Sequence, residues 1–174
     1  LRNFPVLHSY LRGLNFVEEL TYHVNAGVRI WGKGKKIGEE NRKKIKEAKD
    51  KFRIKAATGP MHLKLDMPDS SGTGAGNTDT GNTAREFFKF KNRQHFIDLF
   101  EGTDKEKEAI ATIHKNFSII LRLYSSKNVI IDVDDLEGLC TETNLLLVTT
   151  FPWATQPPSI HRMLAHTAQR IRMN

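Results

Sequence analysis

One cysteine, Cys140, stands in 174 residues, so no disulfide can form within the chain and the fold must rest on a hydrophobic core. That usage fits a reducing, intracellular compartment. No apolar run approaches the roughly 18 residues of a membrane-spanning helix. The opening LRNFPVLHSY lacks the zones of a signal peptide. No lysine falls between Lys64 and Lys89, across the most glycine-rich stretch, which removes the Gly-Lys-Ser/Thr ending of a P-loop. A disulfide scaffold, a transmembrane helix and a P-loop nucleotide site are thereby excluded. The expectation is one soluble basic domain, with no membrane or nucleotide partner, and either end of the sequence can be a cut point in a longer protein.

What the chain has is localised positive charge. The formal net charge is +7. Between Lys33 and Lys55 there are eleven Lys/Arg and four Asp/Glu, which accounts for that whole excess. A concentrated basic segment is what a phosphate-backbone binder needs, although a solvated helix face has the same composition.

Apolar periodicity predicts an all-α fold. Leu11, Leu14, Val17, Leu20 and Val24 recur at helical steps between Leu7 and Asn25, and Gly27, Gly32, Gly34 and Gly38 then interrupt the pattern. From Glu39 to Lys55, Asn41, Ile45, Ala48 and Phe52 share one face. Arg42, Lys46, Lys49 and Arg53 form a basic stripe beside it. Met67–Thr83 is small, polar and aperiodic, and is expected to be a flexible loop. Further helices are expected over Ala84–Phe100, carrying Phe87, Phe88, Phe96, Leu99 and Phe100, and over Asp104–Tyr124. Asp132 is expected to cap another, with Leu136, Leu139, Cys140, Thr143 and Leu147 inward. Ser159 is expected to cap a last one that runs toward Asn174. Val129–Val133 alone reads as a possible strand.

Few residues group as catalysts. No Ser-His-Asp or Cys-His arrangement follows from spacing, and Asp132, Asp134 and Asp135 read better as a helix start than as a metal cluster. Cys140 lies on an apolar face and reads as core. His161 and His166 are five positions apart, about 500° of helix, so an uninterrupted helix sets the rings roughly 140° apart. A tetrahedral zinc site also needs two further ligands.

Four segments nevertheless resemble one family in order and separation. Pro158-Ser-Ile-His-Arg-Met-Leu-Ala-His166 resembles the His-x-x-Leu-Ala-His segment of the catalytic subunit of the V(D)J recombinase and its Transib-type transposase relatives. Gly81-Asn-Thr-Ala-Arg85 resembles their Gly-Asn-Phe-Ala-Arg motif. Leu7-His8 and the charged helix Glu39–Lys55 resemble segments upstream of it. One departure is Glu86, which stands where the family has a second basic residue.

The resemblance implies a helical insertion domain of an RNase H-like transposase or recombinase. In such enzymes two Asp and one Glu hold the divalent ions of DNA cleavage, and these carboxylates are expected before Leu1 and after Asn174, so this stretch is expected to hold no catalytic centre. It also implies that His161 and His166 are half of a zinc site completed by an upstream Cys-x-x-Cys. Asn82 and Arg85 are implied to approach double-stranded DNA near the cleavage point, in addition to the DNA-binding stripe Arg42, Lys46, Lys49 and Arg53 read from spacing. The parent is expected to be nuclear, with a homodimer among the assemblies open to it. The alternative is a domesticated, transposon-derived protein-interaction module that no longer handles DNA.

Overall fold

The computed structural model describes residues 6–31, 37–65, 80–126 and 132–167. Among them run α1 (Val6–Asn25), α2 (Glu39–Thr58), α3 (Gly81–Phe87), a 3-10 turn (Phe90–Asn92), α4 (Arg93–Asp98), α5 (Asp104–Ser125), α6 (Val133–Thr150) and α7 (Pro158–Ala165). No strand occurs among the described residues, so the all-α expectation holds. Most of Met67–Thr83 and of Val129–Val133 lies outside them, and Gly81–Thr83 opens α3 instead of ending a loop.

Helix α1 is the hub, packing against α2, α3, α5 and α7, while α5 carries α6 and α4 on its other sides. Its predicted apolar positions Leu14, Val17, Leu20 and Val24 are buried, together with Tyr10, Phe16 and Tyr22. The helix stops where Gly27 takes the left-handed conformation at φ 68°. Val28 N–H then reaches back to the His23 carbonyl at 2.9 Å and satisfies an end-of-helix acceptor.

The start of α5 is closed locally and from a distance at once. Thr103 Oγ1 accepts from the Glu106 amide at 3.2 Å, and Glu106 Oε2 accepts from the Thr103 amide at 2.9 Å, which makes a capping box. The same carboxylate takes both Arg29 Nε and Nη2 at 3.1 Å. Arg29 also donates to the Val24 carbonyl at 3.1 Å and lies over the Trp153 ring. Asn25 adds a second link, donating to the Leu99 carbonyl at 2.9 Å and accepting from the Glu101 amide at 2.8 Å.

The helix expected over Ala84–Phe100 is broken into α3, the 3-10 turn and α4. Phe87, Phe88, Phe96 and Phe100 are all buried. Neighbouring residues on a helix point about 100° apart, so one straight rod cannot bury Phe87 and Phe88 equally with Phe96. The break resolves this, and the rings of Phe87, Phe88 and Phe96 then surround His114 of α5 at centroid distances of 5.1, 5.3 and 5.4 Å.

Breaking a helix leaves carbonyls to satisfy, and three side chains reach them, one of them joining the Lys89 amide on the Glu86 carbonyl. Asn92 Nδ2 donates to the Glu86 carbonyl at 2.7 Å, and Ser118 Oγ to the Phe88 carbonyl at 2.7 Å. His114 Nε2 lies 3.0 Å from the Phe87 carbonyl. A carbonyl can only accept, so Nε2 carries the proton, and buried Nδ1 has no partner. This is a neutral imidazole in an aromatic cage.

Two starts and ends are also settled. Asp132 caps α6 as expected, its Oδ1 accepting from the Asp134 and Asp135 amides at 2.9 and 3.3 Å. The cap of α7 is corrected: Pro157 occupies that position with Pro158 as the first helical residue, and Ser159 lies inside the helix. Proline fits there because its missing N–H would have been unsatisfied anyway.

Burial, opposed by the Phe87 carbonyl and assisted by Arg93, holds the His114 pKa down to about 4 from 6.5. The unfolded chain therefore binds a proton that the native chain refuses across that window. Stability is full above pH 6.5 and falls as pH drops toward 4, by about 3 kcal/mol from this group. An NMR titration of the His114 ring should show a midpoint near 4, and denaturant unfolding at pH 7 and pH 4.5 should show the loss. His114→Gln should remove much of that slope.

Candidate nucleic-acid interface

Helix α2 sorts its side chains by face. Phe52 and Ala48 are buried and Ile45 half-buried against the core, while Arg42, Lys46 and Lys49 are exposed. Other cations of the helix are spent on carboxylates: Lys44 lies 2.8 Å from Glu40, and Lys51 lies 2.6 Å from Glu101.

Arg53 differs from the rest of the stripe. Its Nη2 sits 3.5 Å from Glu18 Oε2 of α1, and its Nε donates to the Tyr22 hydroxyl at 3.2 Å. The two charged side chains keep only 12% and 3% of their surface exposed. Burial first, and the Glu18 carboxylate second, hold the Tyr22 phenol far above its ordinary pKa, so it stays a neutral acceptor for Arg53. The last position of the stripe is thus the bolt between α1 and α2.

A second basic site lies on α3 and the turn after it. Asn82 and Arg85 are exposed, and the Arg85 guanidinium stands over the Tyr10 ring at 5.7 Å. Thr80 caps this helix through the Thr83 amide. Gly81 packs so closely on Leu7 that an added Cβ would fall 1.8 Å from Leu7 Cδ1. Leu7-His8 and Gly81–Arg85, distant in sequence, therefore meet where α3 leans on α1.

Glu86 does not leave a bare carboxylate beside Arg85. Lys89 Nζ lies 2.5 Å from Oε2 and Lys91 Nζ 2.8 Å from Oε1. Hydrogen bonds from Lys89 and then Lys91 hold the carboxyl down to about 2. Lys89, Lys91 and Arg93 escaped the sequence reading because a continuous amphipathic helix was expected there. Lys-Phe-Lys-Asn-Arg was the available signal. Helices α2 and α3 both pack on α1, and each carries its own basic residues.

The histidines do come together. Helix α7 docks through buried Ile160, Met163 and Leu164, and ends at Ala165. His166 leaves the helical conformation, with φ −122° and ψ 2°, and its ring meets that of His161 edge to face at a centroid distance of 5.4 Å. Both residues are exposed. No group of three or more His, Cys, Asp or Glu side chains placed to hold a metal occurs among the described residues. Cys140 is buried and donates to the Met163 carbonyl at 3.8 Å; burial first, then Glu137, pushes its thiol up to about 11, so it is a core residue.

No protein-family model matches the chain, and no curated protein is significantly similar to it.

The Arg53 geometry makes a test. Arg53→Ala leaves the Glu18 carboxylate buried without its cation, which should cost on the order of 3 kcal/mol in urea unfolding. Adding Glu18→Gln should return part of that loss. Lys49→Ala, on the exposed side of the same helix, should change stability by no more than about 0.5 kcal/mol.

Proposed function

We propose that this chain is the helical DNA-binding and scaffolding insertion domain of a Transib-like or recombinase-like DNA transposase acting in the nucleus. In this reading the strand chemistry and its divalent ions belong to other parts of the parent protein. The observation that carries the DNA-binding half is the α2 face: Arg42, Lys46 and Lys49 are exposed in a row, and none is ion-paired among the described residues. Each phosphate such a row neutralises releases a counterion, which makes affinity fall with salt. Asn82 and Arg85 supply a second patch, and the lysine pair on Glu86 answers the repulsion that a free carboxylate would present to phosphate.

The histidine geometry supports the zinc half of the reading. Two imidazoles on one tetrahedral zinc, at Zn–N distances of about 2.0–2.1 Å, have ring centroids roughly 5 Å apart. The observed 5.4 Å fits that, despite a sequence spacing that predicts divergence. With two ligands in hand, the remaining two have to come from the family's upstream Cys-x-x-Cys.

Leu145 and Val148, exposed on α6, favour a second reading, a domesticated helical module that binds protein and not DNA. Salt separates the two. Duplex affinity measured from low to moderate salt should fall steeply, and Arg42→Ala/Lys46→Ala/Lys49→Ala should flatten the slope of log affinity against log salt by up to about 2.7. The triple variant should melt like the parent chain. Salt-independent or absent duplex binding would favour the protein module.

Zinc is checked separately. The 174-residue chain should bind zinc weakly, and a chain extended to include an upstream Cys-x-x-Cys should bind it stoichiometrically and melt higher without chelator than with it. His161→Ala or His166→Ala should abolish that gain, whereas His114→Ala should leave its zinc dependence intact.

A further inference from the structure

The 3-10 turn at Phe90–Asn92 carries an aromatic ring that the core does not use. Phe90 is 75% exposed, the most open large hydrophobic side chain among the described residues. A lone surface Phe is ordinary in itself. What surrounds this one is not ordinary: Lys89 and Lys91 flank it in sequence, and the Arg93 guanidinium lies 4.5 Å from its ring centroid.

The turn is also rigidly mounted. Asn92, buried, donates to the Glu86 carbonyl, and Ser118 of α5 donates to the Phe88 carbonyl. Phe88 on one side is locked in the core beside Phe87 and His114. Phe90 is thus held outward by anchors before and after it, which is the preorganisation a recognition residue needs.

We propose that Phe90, with Lys89, Lys91 and Arg93, is a stacking platform for an unpaired DNA base. The reading rests on the DNA-binding function proposed above and names the form of DNA recognised at this patch. Two physical requirements of single-stranded binding meet here: an aromatic face, which accepts any base, and cations on the same turn to meet the neighbouring phosphates. A fully paired duplex offers no free base face to such a ring, so the platform discriminates melted, flipped or overhanging DNA from intact helix. Arg93 completes it, because a guanidinium can itself stack on a base or hold a phosphate bidentately. Glu86 sets a threshold, since phosphate must compete with its carboxylate for Lys89 and Lys91.

The test uses the 174-residue chain and three fluorescent DNAs of one sequence: a duplex, the same duplex with a short mismatched bubble, and the single strand. The chain should prefer bubble and single strand over duplex. Phe90→Ala should weaken those two by about ten-fold or more and shift duplex affinity by less than about two-fold. Phe90→Trp should keep the preference, and Phe90→Leu, apolar without a π face, should lose it. The exposed position predicts unchanged melting temperatures, which serves as the folding control.

Equal losses on all three DNAs, no loss on any, or full affinity with Leu would overturn the platform while leaving duplex binding as proposed. Single-strand binding that depends on Phe90, with no duplex binding, would keep the platform and overturn the duplex reading. Binding to none of the three would overturn both.

Discussion

The end of α3 is the constraint on which the rest of this fold turns. Phe87 and Phe88 both have to reach the interior, and a continuous helix cannot take them there with Phe96. Ending the helix frees carbonyls in a buried place, where an unpaired acceptor costs about 1–3 kcal/mol. Asn92, His114 and Ser118 each take one. Two of those side chains come from α5, so the break in one helix is closed by its neighbour. It also fixes where α4 begins and forces Phe90 to the surface.

The cations divide by a similar logic of what is near them. Arg29 and Arg53 spend their charge on Glu106 and Glu18 and hold elements together. Guanidinium suits that task, because its planar fork satisfies several acceptors at once. Arg42, Lys46 and Lys49 face solvent, where charge contributes little to stability but remains available to a polyanion. Composition counts these two groups alike, so the net +7 overstates the charge available for binding within the Lys33–Lys55 segment.

The long, periodic helices were legible in the sequence. Asp104–Tyr124 and Leu7–Asn25 match α5 and α1 closely, because one apolar face repeating over five or six turns admits few alternatives. Asp132 as a cap was legible for the same local reason: its side chain bonds amides two and three residues on. The α3–α4 break was not, because it depends on His114 and Ser118, contacts made across sequence. The link from Arg53 to α1 was not legible for an equivalent reason; periodicity gives the face of a helix, and only the packed α1 shows that Glu18 waits at its edge. The His161–His166 approach was hidden by the end of α7 at Ala165, since an angle computed for a helix says nothing once the helix stops.

Glu106 carries one further consequence. Its carboxylate serves the first turn of α5 and also clamps Arg29, just past the C-terminal end of the hub helix. Helix ends usually fray first, because their caps are local and can open alone. Here opening the cap releases Arg29, and Arg29 in turn lets go of the Val24 carbonyl and the Trp153 ring. Fraying is therefore expected to be coupled to the undocking of the segment after α1, so that the amides of that first turn exchange with solvent as members of a larger cooperative unit.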